Sequence, residues 1–305
     1  MHIIATIIPI FVVITIGWIA RQRGFIPKEF IGPANRLVFY LAIPVLIFHA
    51  ISQGSLSRDL NSQVALITLA TLILFFLLIW GGCRLVRMGN SQIGTFMQSA
   101  YHGNLGYIGL AVAYYFLGDS GLASASIIAG FLMILQNFLS VFILQYYSSG
   151  DKSGEKIFEM VRKILSNPVV ISALAGILFS ALEIPLHPIV ISTLDIISGM
   201  ALPLALLLIG ASLSLLISKN FFAVSVAGLL KLILLPGLGL LFYRLCGVPS
   251  ADYLPALILL ASPTATIAYV MAWEMNGDTD FAVAAISTNT FASALTFVFW
   301  LYLAG

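Results

Sequence analysis

The sequence predicts an all-α polytopic membrane protein of ten transmembrane helices, arranged as two inverted five-helix repeats, and three observations predict it. First, 60% of its 305 residues are hydrophobic and only 9% are charged. With a mean hydropathy of +1.06, that is more apolar surface than a water-soluble core can hide. Second, apolar runs of about 18 residues or more recur from end to end, each able to cross a hydrocarbon layer ~30 Å thick as a helix. Third, a shift of 159 positions carries Pro9 onto Pro168, Gly17 onto Gly176 and Pro44 onto Pro203, and a shift of 160 carries Arg84 onto Arg244 and Gly103 onto Pro263. Because five is odd, a second five-helix unit enters the membrane from the face opposite to the first.

In chain order, the first helix is read over Ile3 to Ala20. Arg21 and Arg23 follow it where a cleavage site would need small residues, so it reads as a retained helix rather than a signal peptide. The next four are Ala34 to Ser52, Gln63 to Cys83, Ser91 to Leu117 and Leu122 to Tyr147. The one strongly charged connection, Ser148 to Lys163, follows and reads as a seam. The second unit holds Pro168 to Leu182, Pro188 to Ile217, Phe221 to Arg244, Tyr253 to Glu274 and Phe281 to Leu303. The domains expected are therefore residues 1–147 as one repeat, 148–166 as a cytoplasmic linker and 167–305 as the other.

Orientation follows from basic charge, which concentrates in cytoplasmic loops. Arg21, Arg23, Lys28, Arg36, Arg84, Arg87, Lys152, Lys156, Arg162, Lys163 and Lys219 fall on one side, and only Arg58 and Arg244 on the other. In a bacterial inner membrane both termini would then be periplasmic. The net charge of +2 is small and forms no basic stripe with aromatics, which argues against nucleic acid. Cys83 and Cys246 belong near opposite faces, so neither a disulfide nor a cysteine metal site is expected.

Chemistry concentrates where helices should break. The fourth helix contains Ser99-Ala100-Tyr101-His102-Gly103-Asn104-Leu105-Gly106-Tyr107-Ile108-Gly109, polar and glycine-rich halfway through an apolar run. At the matching place the ninth reads Ala261-Ser262-Pro263-Thr264-Ala265-Thr266, and Pro263 removes a helical donor. A broken backbone inside a membrane is tolerated only where it lines a cavity, and paired breaks point to a binding site. Close-packing glycines and a simple proline kink are the plainer account. Half-helix N-termini offer free amides and partial positive charge, which suits a carboxylate, and Asn104, Thr264 and Thr266 can add neutral donors.

The residues Leu41-Ala42-Ile43-Pro44-Val45-Leu46-Ile47-Phe48-His49-Ala50-Ile51-Ser52, Gly103-Asn104 through Gly109, Asn167-Pro168 and Pro263 with Met271 to Asn276 resemble the auxin efflux carrier family over nearly the whole chain. That family includes plant auxin exporters and bacterial organic-acid permeases. The resemblance implies a fixed scaffold of helices one, two, six and seven, a transport unit of helices three to five and eight to ten, and carboxylate substrates moved by an elevator-like mechanism. It further implies that Asn104 contacts the carboxylate; the breaks themselves add Gly103, Gly106, Pro263, Thr264 and Thr266 as candidates. Ser52 would line the pocket from the scaffold, and Gln136 or Asn137 from the fifth helix. A homodimer through the scaffold is expected. Gly103 stands where plant members carry a crossover proline, and Ala111 where many members carry proline.

Lys231 lies deep in the eighth helix, where a charge costs about 2.5 to 3.5 kcal/mol. It either pairs with crossover carbonyls or attracts the anion, or its stem snorkels to an interface. Asp195 is a candidate counter-ion. The polar groups Gln136-Asn137 and Thr288-Asn289-Thr290 fit interhelical hydrogen bonding as well as ligand contact. His49 and His102 on different helices make a poor metal site, so no metal and no cofactor is expected. No nucleophile elbow, His-Glu-x-x-His or paired aspartates suggest an enzyme. The expected occupation is transport of a small organic anion, coupled to a proton or sodium or to neither, within membrane lipid. The rivals are a sodium-coupled bile-acid-type symporter and a non-transporting membrane sensor.

Overall fold

The computed structural model describes residues 2–54, 60–83, 88–147, 166–214 and 220–305. The whole Ser148 to Lys163 seam, with Arg58, Arg84, Arg87 and Lys219, lies outside the described residues. Among those described there are helices and connections but no strand. In order they are α1 (His2–Gln22), α2 (Lys28–Gln53), α3 (Ser62–Cys83), α4 (Asn90–Tyr101) and α5 (Leu105–Tyr147). After the seam come α6 (Pro168–Ala181), α7 (Pro188–Ser212), α8 (Phe221–Leu245), α9 (Ser250–Ala261), α10 (Ile267–Glu274) and α11 (Thr279–Ala304). Seven of these, α1, α2, α3, α5, α7, α8 and α11, are long and apolar enough to cross a membrane, and α6 and α9 are shorter apolar helices.

Several boundaries depart from the sequence reading, each for a local reason. Helix α2 starts at Lys28 rather than Ala34, because extended Pro27 (φ −68, ψ 155) sets the turn before it and Glu29 complements the helix N-terminus. Pro33 is absorbed in the exposed early turns of that helix at the loss of one bond. The break read between Leu117 and Leu122, by contrast, is found at Gly118, where two helical stretches of Leu110–Tyr147 meet at a kink whose φ of 72 favours glycine. Helix α7 stops at Ser212 instead of Ile217, with Leu213 extended.

Prolines also shape helix interiors. In α8 the turn Leu230–Leu234 is a π turn, in which the Leu235 amide reaches back to the Leu230 carbonyl. Pro236 follows and brings no amide, so the Leu232 carbonyl lacks its helical donor. The indole Nε1 of Trp300 on α11 donates to that carbonyl at 2.7 Å. A similar π turn, Val38–Ala42, precedes Pro44 in α2.

Helix α1 packs along α7, and α2 along α6. The first contact is a backbone approach: a Cβ on Gly17 would overlap the Leu207 carbonyl, and one on Gly210 would overlap that of Ile14. In the second, a Cβ on Gly176 would lie 2.9 Å from Ile51 Cβ and 3.3 Å from the Phe48 carbonyl oxygen. Gly176 is therefore no silent position. Helices α3, α4, α5, α8, α9 and α11 pack among themselves, with α10 against α11. Cys83 ends α3, and Gln63 at the other end of α3 approaches the Cys246 carbonyl at 3.5 Å, so the two cysteines sit at opposite ends and both are free.

Gly17→Ala and Gly210→Ala should each force α1 and α7 apart, an overpacking that costs about 1 to 3 kcal/mol. Thermal unfolding in detergent should place both well below the parent. Gly32→Ala, where a Cβ meets nothing within 4 Å, should unfold with the parent.

Candidate functional site

The chain is interrupted between α4 and α5, at His102 to Asn104, and between α9 and α10, at Ser262 to Thr266. The two interruptions lie against each other in an antiparallel bridge between Gly103 and Thr264. The Asn104 amide donates to the Pro263 carbonyl at 2.7 Å, and the Ala265 amide to the His102 carbonyl at 2.9 Å. Gly103 is the one residue type that fits: a Cβ there would stand 2.5 Å from Ser262 Oγ, 3.2 Å from Leu105 Cδ2 and 3.3 Å from Lys231 Nζ. Gly106 and Gly109 are tight as well, against Met133 and Leu259 at 3.3 and 3.0 Å.

Two half-helices end here, and a buried helix end leaves carbonyls that need donors. Three find one from a different element, and the Leu259 carbonyl finds one at the cap of its own helix. Thr264 Oγ1 donates to the Ser99 carbonyl at 2.8 Å, and Gln136 Nε2 to that of Tyr101 at 3.3 Å. Ser262 Oγ donates to Leu259 and Lys231 Nζ to Leu260, both at 2.6 Å. Gln136 serves both polarities, since its Oε1 accepts from the Gly103 amide at 3.2 Å. Asn289 Nδ2 donates to Thr264 Oγ1 at 2.7 Å and so holds that hydroxyl toward Ser99.

At the start of α5 the Asn104 side chain is the cap, with Oδ1 accepting from the Tyr107 amide at 3.3 Å. That bond fixes the amide's orientation, and Asn104 Nδ2 is buried with no partner. The crossing thus engages the carbonyls of Ser99, Tyr101, His102, Leu259, Leu260 and Pro263 and keeps an amide donor in hand. Ser99 Oγ and Asn289 Oδ1 are also buried without a partner.

A family of membrane transport proteins matches residues 2–301. The chain belongs to this family, the auxin efflux carriers. It is a transport family rather than an enzyme family. A "Putative malonate transporter" of Rhizobium meliloti (strain 1021) is 27% identical over 311 residues, covering 99% of this chain and 96% of that one. The "Uncharacterized transporter YfdV" of Escherichia coli (strain K12) is 22% identical over 98% of this chain and 96% of its own. An "Uncharacterized transporter" of Methanothermobacter thermautotrophicus (strain Delta H) is 23% identical over 97% and 96%.

Within the transporter the sequence-derived candidates divide. Gly103, Asn104, Pro263, Thr264, Gln136 and Lys231 meet at the crossing, and Gly106 borders it, touching Ile43 of α2. Asn137 turns back to its own helix, donating to the Met133 carbonyl at 2.8 Å. Thr266 precedes α10 without a side-chain cap bond and is half-buried. Ser52 donates to the His49 carbonyl within α2 at 3.2 Å. Asp195 is no counter-ion for Lys231: its Oδ1 lies 3.5 Å from His49 Nε2. Lys231 does not snorkel either, being completely buried.

Two participants carry no sequence signal. Ser140, a lone serine in apolar surroundings, receives the Tyr101 hydroxyl at 3.1 Å and meets His102 Nδ1 at 2.8 Å. Ser262 was visible only as a neighbour of Pro263. A cavity of about 680 Å³ opens elsewhere, between α2, α5 and α7, lined by His49, Gln53, Tyr114, Asp119 and Asp195 among others. None of the crossing residues lines it.

Gln136→Leu should leave the Gly103 amide and the Tyr101 carbonyl without partners, a loss of about 1 to 3 kcal/mol for each buried group. Scanning calorimetry of the purified transporter should register it as a clear drop in Tm, while Asn137→Leu, whose bond stays within its helix, should fall less.

Proposed function

We propose that this transporter carries a small organic anion, a carboxylate, across the bacterial inner membrane by elevator-like alternating access, with the crossing as its binding site. The observation that carries the proposal is the polarity of the crossing. The carbonyls of Ser99, Tyr101, His102, Leu259, Leu260 and Pro263 are engaged, whereas Asn104 Nδ2 is a free donor at a helix N-terminus. Free donors beside a positive dipole end attract an anion. The "Putative malonate transporter" among the relatives supports a carboxylate substrate.

In this proposal ten spans form two inverted five-helix repeats, residues 1–147 and 167–305, joined by the 148–166 linker. The matched glycines support it: Gly17 marks a close approach of α1 to α7, and Gly176, 159 positions on, a close approach of α6 to α2. Helices α1, α2, α6 and α7 are the scaffold, which also joins two copies into a homodimer, and the remaining helices move. The cavity between α2, α5 and α7 lies on the boundary of the two units and serves as the vestibule. Gly103, Asn104, Gly106, Pro263 and Thr264 form the site, with Gln136 and Lys231 behind it and Thr266, Ser52 and Asn137 at its margin. Both termini are periplasmic.

Asn104→Ala should weaken binding of the transported carboxylate ten- to a hundredfold, as expected for a lost hydrogen bond to a charged group worth about 1.5 to 3 kcal/mol. Asn104→Asp keeps the cap to Tyr107 but replaces the donor by negative charge, and binding should vanish. Ligand-induced thermal stabilisation across mono- and dicarboxylates measures both. Parent-like stabilisation of either variant would refute the site. Reporters active only in the periplasm should work when fused to the C-terminus and fail in the 148–163 loop.

A further inference from the structure

Lys231 is completely buried in the π turn of α8. Its ammonium donates to the Leu260 carbonyl, and an ammonium has three donors. No carboxylate lies within ion-pair distance of it among the described residues; the pair found there is His49 with Asp195. The elements packed against its turn are α4, α9 and α11. Their titratable groups are Tyr101, with His102 just beyond it, on α4; Asp252 and Tyr253 at the far end of α9; and Asp280 and Tyr302 at the two ends of α11. Of these, His102 adjoins Gly103, whose Cβ would stand 3.3 Å from Lys231 Nζ, and its Nδ1 is engaged by Ser140.

A structural donor alone would not need a charge at this place. In the same turn the Leu232 carbonyl is satisfied by the neutral indole of Trp300. Lysine differs from such a donor in one respect, which is that it can gain and lose a proton. The nitrogen also touches the site, lying 3.3 Å from where a Gly103 side chain would begin, one residue before the free amide of Asn104. In a low-dielectric interior an anion held there interacts strongly with a nearby cation. By linkage, the anion then favours the proton on Lys231 by the same factor by which that proton favours the anion.

We infer that Lys231 is the proton-coupling residue of this transporter: its amine nitrogen takes up one proton as a carboxylate occupies the crossing and returns it when the carboxylate leaves. The inference rests on the crossing being the anion site. No bond forms between the lysine and the carboxylate, which remains ionised, so one proton and one anion enter and leave together. Lys231 acts on the anion through the crossing backbone rather than as its direct ligand.

The test is calorimetric titration of malonate into the purified transporter in nanodiscs at about pH 8, where malonate is fully ionised, in buffers of different ionisation enthalpy. The parent should take up a substantial fraction of one proton per malonate bound. Lys231→Arg cannot lose its proton and should show no uptake, with a malonate affinity that does not fall between about pH 7 and 9 as the parent's does. Lys231→Met, which fills the same space without charge, should bind at least about tenfold more weakly, also with no uptake. A purely structural lysine would leave the proton count unchanged in both variants, and that result would overturn the inference. So would malonate binding by the parent without uptake anywhere between about pH 7 and 10, which would leave the anion site standing. If the parent fails to bind any carboxylate, the anion-site reading fails first and this inference with it.

Discussion

A backbone carbonyl or amide inside an apolar protein within a membrane must find a partner from the protein itself, because lipid offers none. The rest of the transporter is organised around that requirement at the two places where helices stop short. Tyr101 and Ala261 end α4 and α9 well inside the molecule. The carbonyls released there draw in Gln136 from α5, Lys231 from α8, Thr264 and Ser262 from the second break and, through Thr264, Asn289 from α11. The crossing is thereby fastened to three further helices, and what remains free is decided by what was left over. Among the groups left over is the Asn104 amide donor, on which the anion proposal rests.

Outside the crossing, the constraint is steric. Helices in lipid gain little from hydrophobic contact with one another, so close backbone approach through small residues supplies much of the attraction. Gly17 and Gly210 let α1 and α7 touch backbone to backbone, and Gly176 lets α6 press against the Ile51 side chain of α2. Around the break the same device has another purpose. Gly103 gives Ser262 Oγ and Lys231 Nζ room to reach their carbonyls, so a side chain there would disturb hydrogen bonding as well as packing. Glycine at this position thus both breaks the helix and leaves space for the lysine.

Membrane character and helical class were legible because they follow from composition and run length, which are additive along the chain. The stretch around Gly103 and the proline at 263 were legible as places where a regular helix is costly, since glycine and proline act on their own backbone. Other readings failed for want of three-dimensional information. Asp195 and Lys231 are the acid and base one would pair on charge alone, yet the aspartate faces His49 from α7 while the lysine points into the crossing. Gln136 and Asn137 are adjacent and chemically alike, but successive residues of a helix point about 100° apart, so one bridges the break and the other bonds to its own turn. Ser140 carries no sequence signal at all, because a single hydroxyl in an apolar helix is common and its role depends on Tyr101 and His102 lying opposite.

The sequence by itself determined that the chain is an all-helical membrane protein, where its helices could not continue, and which family it resembles. Only the tertiary structure decided that the two interruptions meet, that Lys231 reaches a carbonyl 29 residues away, and that Asn104 keeps a free amide. The reason is that propensity, hydropathy and proline act locally and can be read in order. Hydrogen-bond satisfaction in a membrane is settled through space, between groups whose separation along the chain gives no hint of their contact.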